Sequence, residues 1–145
     1  MKFLKSYILL SILLASNTGL VFSHKKIDLP IHTIESGQEL AKVLHNSAPT
    51  MIMLHMKNCP HCDSIKGKGD NTSHSYLQDI ANHHPKLKVY LANGPLLQAN
   101  VVIKQEANIS IPGYPTFIFV KNGQTVDHLI GGNKNQIKVK VNKLA

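Results

Sequence analysis

The chain contains two cysteines, and they stand three positions apart in the motif Cys59-Pro60-His61-Cys62. Thiols at this spacing lie nearly one helical turn apart, so they can close a disulfide and open it again. A stabilising disulfide normally closes a longer loop, because the entropic benefit grows with loop length. The spacing therefore indicates redox chemistry, in which Cys59 attacks a partner's disulfide and Cys62 resolves the product.

The residues around the two cysteines favour a reactive thiolate at Cys59. Pro60 suits the first position of a helix, where its missing N–H costs nothing. The free N–H groups and the positive end of that helix stabilise a negative sulfur. We expect His61 to stabilise the thiolate further and to make the disulfide more oxidising. The alternative for His61 is an exposed helix residue without a role.

Local patterns predict the strands and helices that must hold the motif. The apolar run over 50–56 is typical of a central strand buried on both faces, and the motif follows it directly. Ser36 and Glu39 form a capping box at the start of a helix. Asn122-Gly123 predicts a type I′ turn in a late hairpin. The remaining predicted elements are strands over 31–34 and 86–92, helical stretches over 76–80 and 96–107, and a terminal helix over 133–144.

The first 23 residues have the pattern of a secretory signal. Lys2 and Lys5 precede a short apolar stretch over 7–15, and Val21-Phe22-Ser23 offers small or tolerated residues at the cleavage positions. The stretch is too short for an ordinary membrane span. We therefore predict a cleaved signal peptide over 1–23, one domain over 24–145, and export to a bacterial periplasm. An uncleaved membrane anchor is the alternative.

The composition argues against one class of partner and leaves one rival function. All 16 basic residues are lysines, the formal charge is +8, and the lysines are scattered. Because arginine is absent and no dense basic run occurs, we predict no nucleic-acid binding. The rival is a copper- or zinc-binding module that uses both thiols, His61 and His55. A redox-inactive scaffold for partner binding is a third interpretation, against which the presence of both cysteines argues.

Two motifs together resemble the thioredoxin superfamily over residues from about 31 to the end. They are the Cys59–Cys62 motif after a strand and Tyr114-Pro115-Thr116 at the start of a later strand. The resemblance implies an α/β thioredoxin fold: a single domain whose central mixed sheet of four to five strands is flanked by helices. It also implies that Pro115 is a cis-proline facing the cysteines and that Tyr114 offers its backbone to a bound substrate.

The chain departs from the family's usual pattern in three places. The Pro60-His61 dipeptide resembles that of the DsbA-type disulfide oxidases, whereas the short length resembles a minimal thioredoxin. Asn58 stands where the family commonly has tryptophan, and Met53 replaces a buried acid that helps to deprotonate the second cysteine. This puts efficient release of the mixed disulfide in question.

The resemblance and the signal together imply a thiol–disulfide oxidoreductase that acts on exported proteins. We expect catalysis by Cys59 and Cys62, tuning by Pro60 and His61, and substrate contact at Tyr114 and Pro115. The redox-active disulfide is the only cofactor expected, without a metal. The expected partners are exported thiol or disulfide proteins and a membrane redox protein, and we expect a monomer. The direction of the reaction is left open.

Overall fold

A computed structural model describes residues 28–68 and 75–144. The predicted signal peptide over 1–23 lies outside the described residues. Among the residues that the structure describes, no helix is long and apolar enough to cross a membrane.

One mixed sheet of five strands forms the centre of the molecule, in the order β1-β3-β2-β4-β5. Strands β1, β3 and β2 are parallel, and β4 and β5 are antiparallel to their neighbours. The predicted central strand is confirmed, since β2 lies in the middle and five of its six residues are buried. The strands are β1 (Ile31–Ile34), β2 (Thr50–His55), β3 (Lys88–Asn93), β4 (Thr116–Lys121) and β5 (Gln124–Ile130).

Five helices cover the two faces of this sheet and define two apolar cores. The helices are α1 (Gly37–Leu44), α2 (Pro60–Lys66), α3 (Tyr76–His83), α4 (Ala99–Ala107) and α5 (Lys134–Leu144). Helices α2, α3 and α5 pack on one face and enclose both cysteines, and we call this the cysteine-side core. Helices α1 and α4 pack on the other face, which we call the opposite core. The expected thioredoxin fold, with a mixed sheet flanked by helices, is confirmed.

The predicted cap at the start of α1 and the predicted turn of the late hairpin are both present. The Oγ of Ser36 accepts a hydrogen bond from the N–H of Glu39 at 3.1 Å. The Glu39 carboxylate accepts from the N–H of Glu35, one residue before the expected donor. Asn122 and Gly123 have φ values of 54° and 76°, as a type I′ turn requires.

Several element ends differ from the sequence-based expectations. The third strand covers 88–93 rather than 86–92, and the helical stretch that starts at Tyr76 continues to His83. The helix expected over 96–107 begins only at Ala99. The chain first turns after β3, where the N–H of Leu97 donates to the carbonyl of Asn93 and that of Ala99 to Gly94.

Candidate active site

The cysteine pair lies where β2 ends and α2 begins. Asn58 adopts a left-handed conformation with φ of 56°, which asparagine tolerates better than most residues. This sharp turn brings Cys59 to the N-cap position of α2 and Pro60 to its first turn. Cys59 and Cys62 form a disulfide, with their Cα atoms 5.2 Å apart. The turn gives a physical reason for asparagine at position 58.

The two sulfurs differ in access to solvent and in their hydrogen bonds. Cys59 is 7% exposed, whereas Cys62 is fully buried. The N–H of Cys62 donates to the Sγ of Cys59 at 3.2 Å, so the Cys59 sulfur caps its own helix. A donor at this position stabilises a thiolate at Cys59. An incoming partner can therefore reach Cys59 first, and Cys62 can act only from within.

Tyr114 and Pro115 lie on the side of the motif where the Sγ of Cys59 is located. The peptide bond between them is cis. The Sγ of Cys59 lies 3.9 Å from the carbonyl oxygen of Tyr114. The carbonyl of Pro115 accepts a hydrogen bond from the N–H of Gly131 at 2.8 Å. The structure thus brings together the cysteines and the two residues singled out from the family resemblance, while their contact with substrate stays a prediction.

Gly94 is a residue of the site that sequence reasoning missed. The ring of Tyr114 packs against it so closely that a Cβ at position 94 would overlap the ring and its hydroxyl. Burial raises the pKa of the Tyr114 hydroxyl above its ordinary value. The sequence predicts only that a strand ends shortly before this glycine. The sequence signal for its second role was the glycine itself, which permits close approach of a bulky neighbour.

His61 is exposed on the first turn of α2. Its carbonyl accepts a hydrogen bond from the hydroxyl of Ser64 at 2.8 Å. A Cβ at Gly132 would lie 3.6 Å from that same carbonyl, so the loop after β5 packs beside the cysteine motif. The effect of the His61 ring on the thiolate stays a prediction.

Cys62 lies in apolar surroundings. Met53, at the position of the family's buried acid, is fully buried in the cysteine-side core with Cys62, Ile65 and Phe117. The side chain at position 53 offers no group that takes a proton.

A polar cluster lies beside this core, and sequence reasoning singled out its His55 but missed Lys66 and Asp63. Lys66 is only 7% exposed and pairs with the carboxylate of Asp63 at 3.1 Å. His55 follows Met53 on the same face of β2, because side chains alternate along a strand. Burial lowers the pKa of His55, and the positive charge of Lys66 lowers it further. The only sequence signal was a histidine that ends an otherwise apolar strand.

The arrangement of these side chains also bears on the metal-binding alternative. In the disulfide form, the residues over 28–68 and 75–144 contain no group of three or more histidine, cysteine, aspartate or glutamate side chains that could hold a metal ion. His55 and His61 thus do not join the two sulfurs in such a group.

Comparison with known proteins agrees with this architecture. The sequence profile of the thioredoxin family matches residues 32–143. No curated protein matches the sequence. Among solved structures, the thioredoxin of Malassezia sympodialis is 20% identical with a TM-score of 0.66, covering 84% of this chain and 97% of its own. Mitochondrial thioredoxin 3 of Saccharomyces cerevisiae is 17% identical with a TM-score of 0.63, covering 79% and 95%. The family match spans most of the chain, so the protein belongs to the thioredoxin family.

Proposed function

We propose that the protein is a thiol–disulfide oxidoreductase that acts on exported proteins through the Cys59–Cys62 disulfide. The observation that carries this proposal is the disulfide at the start of α2, with one sulfur accessible and the other fully buried. The disulfide is the whole redox cofactor. The export part of the proposal rests on the signal pattern over residues 1–23, and a membrane redox protein would then reset the pair.

The exchange follows from the positions of the two sulfurs. The Cys59 thiolate attacks one sulfur of a partner disulfide, a new S–S bond forms, and the partner's other sulfur leaves as a thiolate. Cys62 then loses its proton and attacks the Sγ of Cys59. This closes the Cys59–Cys62 disulfide and releases the second partner thiol, so two electrons pass from the protein to the partner. The reverse sequence delivers a disulfide.

The backbone around the site supports specific steps of this reaction. The N–H of Cys62 and the positive end of α2 hold negative charge on Cys59. The carbonyl of Tyr114 faces the same sulfur and offers an acceptor to the backbone of an extended partner. No acidic side chain stands at position 53, so we expect deprotonation of Cys62 to limit the second step.

The test is to equilibrate the purified protein with glutathione buffers of increasing oxidised fraction and to quantify dithiol and disulfide forms by mass spectrometry. We expect one reversible two-electron transition. Reference potentials are about −270 mV for thioredoxin and about −120 mV for DsbA. A value near the first assigns a reductant of exported disulfides, and a value near the second assigns a donor of disulfides. A pair that never cycles and instead retains stoichiometric copper or zinc would contradict the proposal.

A further inference from the structure

A groove runs along the outer edge of β5, beside α5, and we call it the β5–α5 groove. Its volume is about 480 Å³. Apolar and basic side chains line it, and no acidic side chain of the described residues does. The lining residues used below are Leu129, Ile130, Val139, His128, Lys140 and Lys143.

The strand that borders the groove has a free edge. β5 is the last strand in the sheet order and pairs with β4 alone among the described strands. The pairing shifts register between Phe119 and Val120, which leaves Val126 as a bulge and the stretch from Asp127 to Ile130 regular. Edge strands with regular backbone are templates for pairing with another chain. The regular half of β5 is followed directly by Gly131, whose N–H donates to the carbonyl of Pro115. It is therefore the half nearest the cysteines.

Apolar exposure is concentrated along this edge. Six large apolar side chains are exposed in the part of the chain that the structure describes, and three of them lie on β5 and α5. These are Val126, Ile130 and Val139, with exposed fractions of 55%, 48% and 53%. Ile130 and Val139 line the groove itself, so an occupant of the groove would cover apolar surface that is otherwise exposed.

The charge around the groove selects the kind of occupant. Helix α5 carries four lysines and no acidic residue in eleven positions. Lys140 is paired with Asp127, whereas Lys143 is exposed at the groove. A second copy of this chain would place lysines against lysines, which opposes self-association at this edge. A segment with acidic side chains complements it.

The groove is continuous with the cysteine site. Gly131, directly after Ile130, donates its N–H to the carbonyl of Pro115. Gly132 packs beside the carbonyl of His61. A chain whose sulfur reacts with Cys59 can therefore extend along β5 without leaving the surface.

We propose that the β5–α5 groove binds an acidic, extended segment of the disulfide-exchange partner, which adds to the sheet as a sixth strand beside β5. This inference rests on the proposed function and names the class of substrate that the site favours. Backbone hydrogen bonds to the edge hold the segment, its apolar side chains cover Ile130 and Val139, and its carboxylates face Lys143.

The probe is a cysteine peptide whose tract carries valine and glutamate in turn at every second position, so that both lie on one face of the added strand, with threonine between them. It is used as its symmetric disulfide dimer. The reduced protein attacks one peptide sulfur through Cys59, Cys62 closes the protein disulfide, and two peptide thiols are released. A matched peptide carries glutamine in place of each glutamate. A third peptide keeps every glutamate but carries N-methyl groups on the backbone of the tract. Tracts placed before and after the cysteine are compared, because either orientation of the added strand fits the edge.

With the tract on one side of the cysteine, we expect the glutamate peptide to react about fivefold faster than the glutamine peptide. A rate ratio of this size is expected from one or two exposed ion pairs. Added salt should reduce this ratio. Lys143→Glu should remove the preference, and N-methylation should remove it as well. The control is Lys138→Glu, which makes the same charge change on α5 but lines a different cavity, beside α3.

Equal rates for the glutamate and glutamine peptides would overturn the proposal, and so would an equal loss in the Lys138→Glu control. A preference that survives N-methylation would overturn the sixth strand. A concentration-dependent dimer whose stability Lys143→Glu changes and Lys138→Glu does not would assign the groove to a second copy instead. Glutathione separates the two levels of inference: if the protein exchanges with neither reduced nor oxidised glutathione, the proposed function itself fails.

Discussion

The face of the sheet under α2, α3 and α5 holds both cysteines and His55, whereas the face under α1 and α4 is packed by aliphatic side chains such as Ile52 and Leu54. Both faces are built on the same strands, because neighbouring residues of a strand point to opposite sides. This comparison suggests that the two faces have different roles. Changes on the cysteine side should alter chemistry and stability together, while changes on the opposite side should alter stability alone.

The largest expected effect comes from the cysteines. Cys59→Ser should reduce exchange to the limit of detection, since no other described thiol can attack. Cys62→Ser should accumulate mixed disulfides between Cys59 and partner peptides, since the first step survives and the second does not. Exchange rates and mass spectrometry under non-reducing conditions measure both outcomes. Ser64→Ala, on the same helix, is the control. Full activity in both cysteine variants would end the redox interpretation.

A pair of neighbours on β4 tests the two faces directly. Phe117 lies in the cysteine-side core and Ile118 in the opposite core, and both are fully buried. Phe117→Ala should lower the free energy of unfolding by about 3–5 kcal/mol and Ile118→Ala by about 2–5 kcal/mol. Only Phe117→Ala should also shift the reduction potential of the disulfide.

Urea unfolding and glutathione equilibration measure these two quantities. If the alanine variants do not fold, Phe117→Leu and Ile118→Val make the same comparison with smaller cavities. An equal shift of the reduction potential in both variants would show that the two faces are coupled and would contradict their separate roles.

Two histidines should make the free energy of unfolding depend on pH in opposite directions. Burial, followed by the charge of Lys66, lowers the pKa of His55 from 6.5. The unfolded chain then binds a proton more readily, so stability falls as the pH drops from 6.5 towards the lowered pKa of the folded state. The hydrogen bond from the His45 ring to Glu106, 2.8 Å long, raises the pKa of His45 from 6.5. Its contribution is complete below pH 6.5 and is lost as the pH rises through the raised pKa.

The histidine variants separate these two contributions. His55→Gln should flatten the loss of stability below pH 6.5. His45→Gln should be less stable than the parent at low pH and equal to it at high pH. Unfolding curves at a series of pH values measure both. If plots of the free energy of unfolding against pH are parallel for the parent and a variant, the assignment for that histidine is contradicted.

The smallest expected effect is at the ion pair between Asp127 and Lys140, which joins β5 to α5. Both side chains are partly exposed, so Asp127→Asn should lower the free energy of unfolding by less than about 1 kcal/mol. The difference should shrink in high salt, as measured by urea unfolding at two salt concentrations. A larger loss that salt does not change would indicate a packing role for Asp127 instead.

Sequence reasoning located the parts of the molecule that depend on local chemistry. The hairpin followed from Asn122-Gly123, because two positive φ angles fit few other residues. The position of Cys59 followed from an apolar run and a proline. The contact between Gly94 and Tyr114 could not be predicted, because the two residues are twenty positions apart and meet only through the packing of β3 against the later loop. The burial of Lys66 likewise depends on its tertiary partners.

Cys59 caps α2 with its own sulfur, and this joins the redox state of the protein to a single backbone proton. The amide proton of Cys62 is bonded to the Cys59 sulfur of the disulfide, and we expect the same proton to be bonded to a thiol or thiolate when the pair is reduced. A charged acceptor holds such a proton more strongly. The rate at which this amide exchanges with deuterium should therefore differ between the two redox states, which gives a readout of the pair in a chain that has no tryptophan to report it by fluorescence.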